Sequence, residues 1–169
     1  MNLPISTVST ELYVRMLRNL MTWLERADAQ ASARRFDPVG FLSLKLAPDM
    51  LPFKTQVVIA CELARIGAAK LAGIELPAAA GSDDSLDGLR AKVSDAITFV
   101  EAITSAQLEG AAVREVVVPQ RQGAALVFTG ESFLQRYSLP NFFFHVTTIY
   151  ALLRHAGVEL GKADYLGSL

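Results

Sequence analysis

The sequence predicts an all-α protein, a four-helix bundle with a small β-hairpin between the third and fourth long helices. Two patterns carry that prediction. Four segments repeat apolar residues at steps of three and four, the spacing of one helix face. Two β-branched or apolar runs around "PQRQG", within residues 114–128, break that repeat and read as a hairpin. With 169 residues, 51% of them hydrophobic, the chain suits one domain over 1–169, long enough to bury about two-thirds of its unfolded surface.

The first segment, about residues 5–33, places Leu12, Met16, Leu17, Leu20, Met21, Leu24 and Ala27 on one face. In the connector that follows, Asp37 and Pro38 read as the N-cap and first residue of a short helical turn. Pro48, Asp49 and Pro52 announce the second helix, about residues 51–72, and Asp49 is expected to cap it. Gly73 stops it. Its stripe of Val57, Ala60, Cys61, Ala64, Ala68 and Leu71 is mostly small, so a neighbouring helix can approach closely. The third helix opens near Ser85 and carries Leu86, Leu89, Val93, Ile97, Val100 and Ile103, with Asp83, Asp84 and Asp87 where the helix dipole favours negative charge. The hairpin must lean on the helices, because two strands are not stable alone. Thr129 reads as the N-cap of a segment to about Tyr137. Pro140 is expected to kink or restart that helix by pushing Leu139 off helical angles. The last long helix ends at Gly157.

A formal net charge of -1 and the lack of any basic block give no reason to expect nucleic acid or an anionic membrane as partner. Cys61 is the single cysteine, which rules out an intrachain disulfide and a zinc ribbon. The N-terminal residues lack the signal-peptide pattern, and no apolar run reaches the roughly 18–20 residues of a membrane span. A cytoplasmic protein is expected.

Chemistry concentrates in "LPNFFFHVTTIYALLRHAGVELG", residues 139–161. Phe142, Val146, Ile149 and Leu153 make the core face. Asn141 and His145, four residues apart, fall together on its edge, where two side chains can share a ligand or ion. Two histidines at that spacing form half of a divalent-metal site; asparagine is a much weaker donor. One ring of the triple phenylalanine 142–144 is expected in the core and another against a partner or pocket wall. His155 suits the helix end as a surface cation. Tyr165 and Leu166 are expected to anchor the tail against the bundle or a second subunit.

The sequence resembles the DinB-like bundles, whose last long helix carries H-x-x-x-H-R-G-Q followed by L-L-R-x-x-G-V. "LLRHAGV", residues 152–158, is similar to the terminal signature; His145 then falls on the second motif histidine and Asn141 on the first, while Val146-Thr147-Thr148 stands in place of R-G-Q. "LAPDM" (46–50), "LPNFFFH" (139–145) and "GVELGKADYLG" (157–167) resemble, more closely, one domain-of-unknown-function family within that superfamily. The resemblance implies an up-down-down-up bundle, commonly a homodimer, with three histidines holding a divalent metal between helices, and thiol-dependent transferases, isomerases or hydrolases among its enzymes. The third histidine should come from the second helix, where this chain offers only Gln56 and Cys61 as polar candidates.

Gln56, Asn141, His145 and Asp49 are therefore the pocket candidates, and His145, Asn141 and Gln56 the metal-ligand candidates for a weakly held zinc, nickel or iron, no other cofactor being expected. One reading is a small-molecule-binding bundle with a degenerate metal site. Its rival is a metal-dependent enzyme anchored on His145, and a third is an interaction module working through a homodimer face. The competing structural reading of His145 is a core histidine satisfied by Asn141, Gln56 or a backbone carbonyl. Cys61 reads as packing rather than nucleophile.

Overall fold

A computed structural model describes residues 4–79, 81–120 and 122–167. Its elements are α1 (Thr10–Arg34), a 3-10 turn (Pro38–Ser43), α2 (Phe53–Ala72), α3 (Leu86–Glu101), β1 (Glu115–Val118), β2 (Leu126–Thr129), α4 (Gly130–Phe133), a π turn (Leu134–Ser138), α5 (Leu139–His155) and α6 (Lys162–Leu166). Local chemistry sets most of the ends. The Asp37 carboxylate accepts from the Val39 amide, Ser85 from Gly88 and Thr129 from Ser132. Gly73 and Gly157 turn the chain at φ 69° and 85°, which suits a residue without Cβ.

Side-chain pairs give the helix directions. Arg18 meets Glu101 and Asp28 meets Arg90, so α1 and α3 are antiparallel. Lys54 meets Asp83 and Arg65 meets Asp95, so α2 and α3 run the same way. Gln56 meets His145 while Gly67 lies against Ser138, which makes α2 and α5 antiparallel. Tyr13 on Phe142 and Trp23 on Tyr150 make α1 and α5 parallel. The result is an up-down-down-up bundle around one hydrophobic cluster, with a small antiparallel hairpin set against its side.

Every residue of the expected stripe on α2 is buried; the close approach is marked by Gly67, outside that stripe, where a Cβ would lie 2.6 Å from the Tyr13 hydroxyl and 2.7 Å from that of Ser138. On α1 Met16, Leu17, Leu20, Leu24 and Ala27 are buried as expected, and two aromatic rings join them. Leu12 and Met21 are only partly covered, whereas Tyr13 and Trp23 are fully buried. Both rings bring a polar tip that finds a partner, the Tyr13 hydroxyl on Ser138 and the Trp23 indole N–H on the Asp164 carbonyl. Partnered tips let large aromatic bodies occupy a core.

Two expectations are corrected. Leu139 keeps helical angles (φ −64°, ψ −45°), and the helix passes through Pro140 without restarting. The π turn just before it adds a residue to the ladder, and the Leu139 amide reaches back to the Leu134 carbonyl. That widening accommodates a residue that lacks an N–H and crowds the turn behind it. Nor does Asp49 cap α2. Pro52 holds the N-cap position, and the Phe53 amide is taken by the Leu44 carbonyl at 2.8 Å. Asp49, three residues upstream of Pro52, is exposed and makes no hydrogen bond or ion pair among the described residues.

The hairpin leans on the bundle through buried Val116 and Val118, and the Lys70 ammonium donates to the Val117 carbonyl. In the tail, Tyr165 stacks on Trp23 and meets Tyr150 edge-on, as an anchor should; Leu166 remains 39% exposed. Among the described residues no helix is long and apolar enough to cross a membrane.

Candidate functional site

Gln56 sits in the first turn of α2, and its position decides its chemistry. The Leu51 carbonyl, just outside the helix, has no place in the helical ladder and accepts a hydrogen bond from Gln56 Nε2 at 3.1 Å. A carbonyl only accepts, so the amide nitrogen must face Leu51 and Oε1 must face the other way. There, across the antiparallel α2–α5 contact, His145 Nδ1 lies 2.6 Å from Oε1. Val57 and Ala60 on one helix and Phe142, Val146 and Ile149 on the other are all buried around this crossing. Gln56 is 1% exposed, not the solvated side chain its place near a helix start suggests.

His145 is half-buried. Burial lowers its pKa below the ordinary 6.5, so the ring is neutral at physiological pH. Among the described residues its Nε2 has no hydrogen-bond partner, nor is it one of the stranded buried polar atoms. The Phe144 ring, 56% exposed, stands edge-on to the imidazole with centroids 5.2 Å apart.

Gln56 and His145 are thus brought together; Asn141 and Asp49 do not join them. Asn141 is exposed, and its Nδ2 donates to the Tyr137 carbonyl at 2.6 Å, inside the turn loosened by Pro140. Thr148, beside them in the repeat, is buried and spends its hydroxyl on the Phe144 carbonyl. Cys61 is buried, and desolvation pushes its thiol up to about 12, so it stays protonated. His155 is exposed at the end of α5.

These donors do not fit the metal centre that the DinB-like resemblance implies. A shared ion needs several donors at a common point, yet Gln56 Oε1 is turned onto His145 Nδ1, which leaves the ring's Nε2 as the single donor of the pair. Asn141 is engaged elsewhere. Among the described residues no three His, Cys, Asp or Glu side chains gather as a set that could hold a metal ion.

Two polar clusters escaped the sequence reading. Tyr13 and Ser138 form a fully buried hydroxyl pair at 2.6 Å. Arg65 is 2% exposed and holds Glu62 and the Pro77 carbonyl, with Asp95 at 3.6 Å and the Phe99 ring beneath its guanidinium. The hydroxyl pair depends on which elements pack opposite; for Arg65 the Glu62 spacing is a local signal, but its burial depends on the Pro77 connector and on Asp95 and Phe99 of α3. A cavity of about 760 Å³ lies apart from His145, between the first half of α1 and the end of α3. The Arg18–Glu101 ion pair lines it.

Comparison with known proteins agrees with this architecture. A crystal structure described as a DinB family member protein from Shewanella denitrificans superposes with a TM-score of 0.86 at 34% sequence identity, covering 98% of this chain and 93% of that one. No curated protein matches the sequence. The profile of a domain of unknown function, DUF1993, matches residues 5–166. The chain therefore belongs to the DUF1993 family, a domain of unknown function carried on a DinB-like bundle.

Proposed function

We propose that the protein binds a small molecule at the half-buried His145–Gln56 pair between α2 and α5, without a metal ion. The observation that carries this reading is the pair itself. Polar atoms in a core normally each have at least one partner, and here His145 Nε2, at a partly accessible position, has none among the described residues. The exposed Phe144 ring beside it supplies apolar contact area for a ligand. The same reading keeps the chain as one domain working in the cytoplasm as a homodimer.

Elemental analysis of protein purified without a histidine tag, as wild type and as His145→Ala, tests the metal-free part. No stoichiometric zinc, nickel or iron is expected in either. A stoichiometric metal in the wild type that disappears from the variant would overturn this reading in favour of a metal-dependent enzyme anchored on His145. Light scattering tests the assembly, with a dimer mass expected.

A further inference from the structure

The relay Leu51–Gln56–His145 does more than satisfy buried atoms; it selects one form of the imidazole. The Leu51 carbonyl orients the Gln56 amide with nitrogen towards Leu51 and oxygen towards His145. An amide oxygen opposite Nδ1 at 2.6 Å requires a proton on Nδ1, since two acceptors cannot share that contact. A neutral ring with Nδ1 protonated carries its lone pair on Nε2. We infer that Gln56 is a positioning residue that locks His145 as the Nδ1–H tautomer, so that the site recognises a neutral hydrogen-bond donor, an O–H, S–H or N–H group, through Nε2.

This deepens the proposed function and rests on it. Carboxylates and phosphates are disfavoured, because an acceptor facing the Nε2 lone pair is repelled. The start of α2 does not reverse that preference through its leading amide, since the Phe53 N–H is committed to the Leu44 carbonyl. A donor bound to Nε2 meets the Phe144 ring beside the imidazole, which suits a ligand with an apolar body next to its donor.

The test uses the full chain labelled with 15N-histidine. Long-range 1H–15N correlation spectra at pH 7.5 distinguish a protonated from an unprotonated ring nitrogen, and His145→Gln assigns the signals of the two histidines. The expected result is Nδ1 protonated and Nε2 unprotonated, with the preference lost in Gln56→Leu. Phenol and benzoate then serve as matched probes, one ring with a donor and one with only acceptors. Phenol should shift Nε2 of His145 with an apparent affinity at least about tenfold above that of benzoate, as expected for one well-placed hydrogen bond against an unpaired acceptor. An Nε2–H ring in the wild type, or benzoate acting as strongly as phenol, overturns the inference and leaves the proposed function standing. The expected tautomer with no response to either probe overturns both the ligand class and the small-molecule reading.

Discussion

Two polar couples lie along the contacts of α2 with its neighbours, and they differ in one respect. Tyr13 and Ser138 meet at 2.6 Å, as do His145 and Gln56. The first couple is sealed: both residues are buried, and Gly67 presses on both hydroxyls. The second ends in a ring nitrogen that has no partner among the described residues, at the half-buried edge of the helix pair. A polar group shut inside the core, out of reach of any ligand, contributes to stability and specificity of packing. One that keeps capacity in reserve is available to something outside. The contrast implies that substitutions in the sealed couple change stability, and that substitutions in the open one change binding.

The largest expected effect comes from crowding the sealed couple. Gly67→Ala should cost about 2–3 kcal/mol of unfolding free energy in urea melts, since overpacking of about 1–3 kcal/mol and about 1–2 kcal/mol from the disturbed hydrogen bond outweigh the roughly 1 kcal/mol that alanine gains over glycine within a helix. The new methyl must displace a rigid tyrosine ring or break its hydrogen bond. A gain in stability would show that the close approach is not real. Next in size, Tyr13→Phe leaves the Ser138 hydroxyl buried without its partner and should cost about 1–2 kcal/mol. Adding Ser138→Ala should recover most of that loss, because removing both partners of a buried hydrogen bond is nearly neutral. A double variant that loses the sum of the two single losses would contradict a sealed pair.

Titration should separate the couples at opposite ends of the pH scale. Burial pushes the Tyr13 phenol up to about 12 from 10, so the folded protein resists losing a proton that the unfolded chain gives up near 10. Stability from this group is intact below pH 10 and declines as pH rises towards 12. For His145 the shift is downward: the unfolded chain takes up a proton near 6.5 and the folded one does so only at lower pH. Stability is therefore intact above about pH 6.5 and falls on acidification below it. His145→Gln should flatten that acid slope at small cost near neutrality, below about 1 kcal/mol for a half-exposed side chain. An unchanged slope in the variant would assign the acid sensitivity elsewhere.

The ends of the elements were legible in sequence because their causes are local. Gly73, Gly157, Ser85 and Thr129 each act within a few residues, through a backbone angle or a capped amide. The facing of α1 was less so. Tyr13 and Trp23 enter the core only because Ser138 and the Asp164 carbonyl, 125 and 141 residues away, receive their polar tips. Asn141 was drawn beside His145 by the four-residue spacing of a regular helix. That spacing holds within α5, but the Asn141 amide turns back one turn and donates to the Tyr137 carbonyl instead of meeting His145. Gln56 and His145 were each visible as polar residues on apolar helices, but their meeting depends on the antiparallel placement of α2 against α5 across 89 residues.

The proposed site depends on the openness of His145, and carbethoxylation by diethyl pyrocarbonate measures it most directly, since the reagent attacks an accessible unprotonated imidazole nitrogen. The chain has two histidines, which peptide mass spectrometry resolves. Under native conditions at pH 7 both the exposed His155 and His145 should be modified, with the helical circular dichroism unchanged. Modification of His155 alone, with His145 reacting only after unfolding, would place His145 among the sealed polar groups and contradict the proposed site.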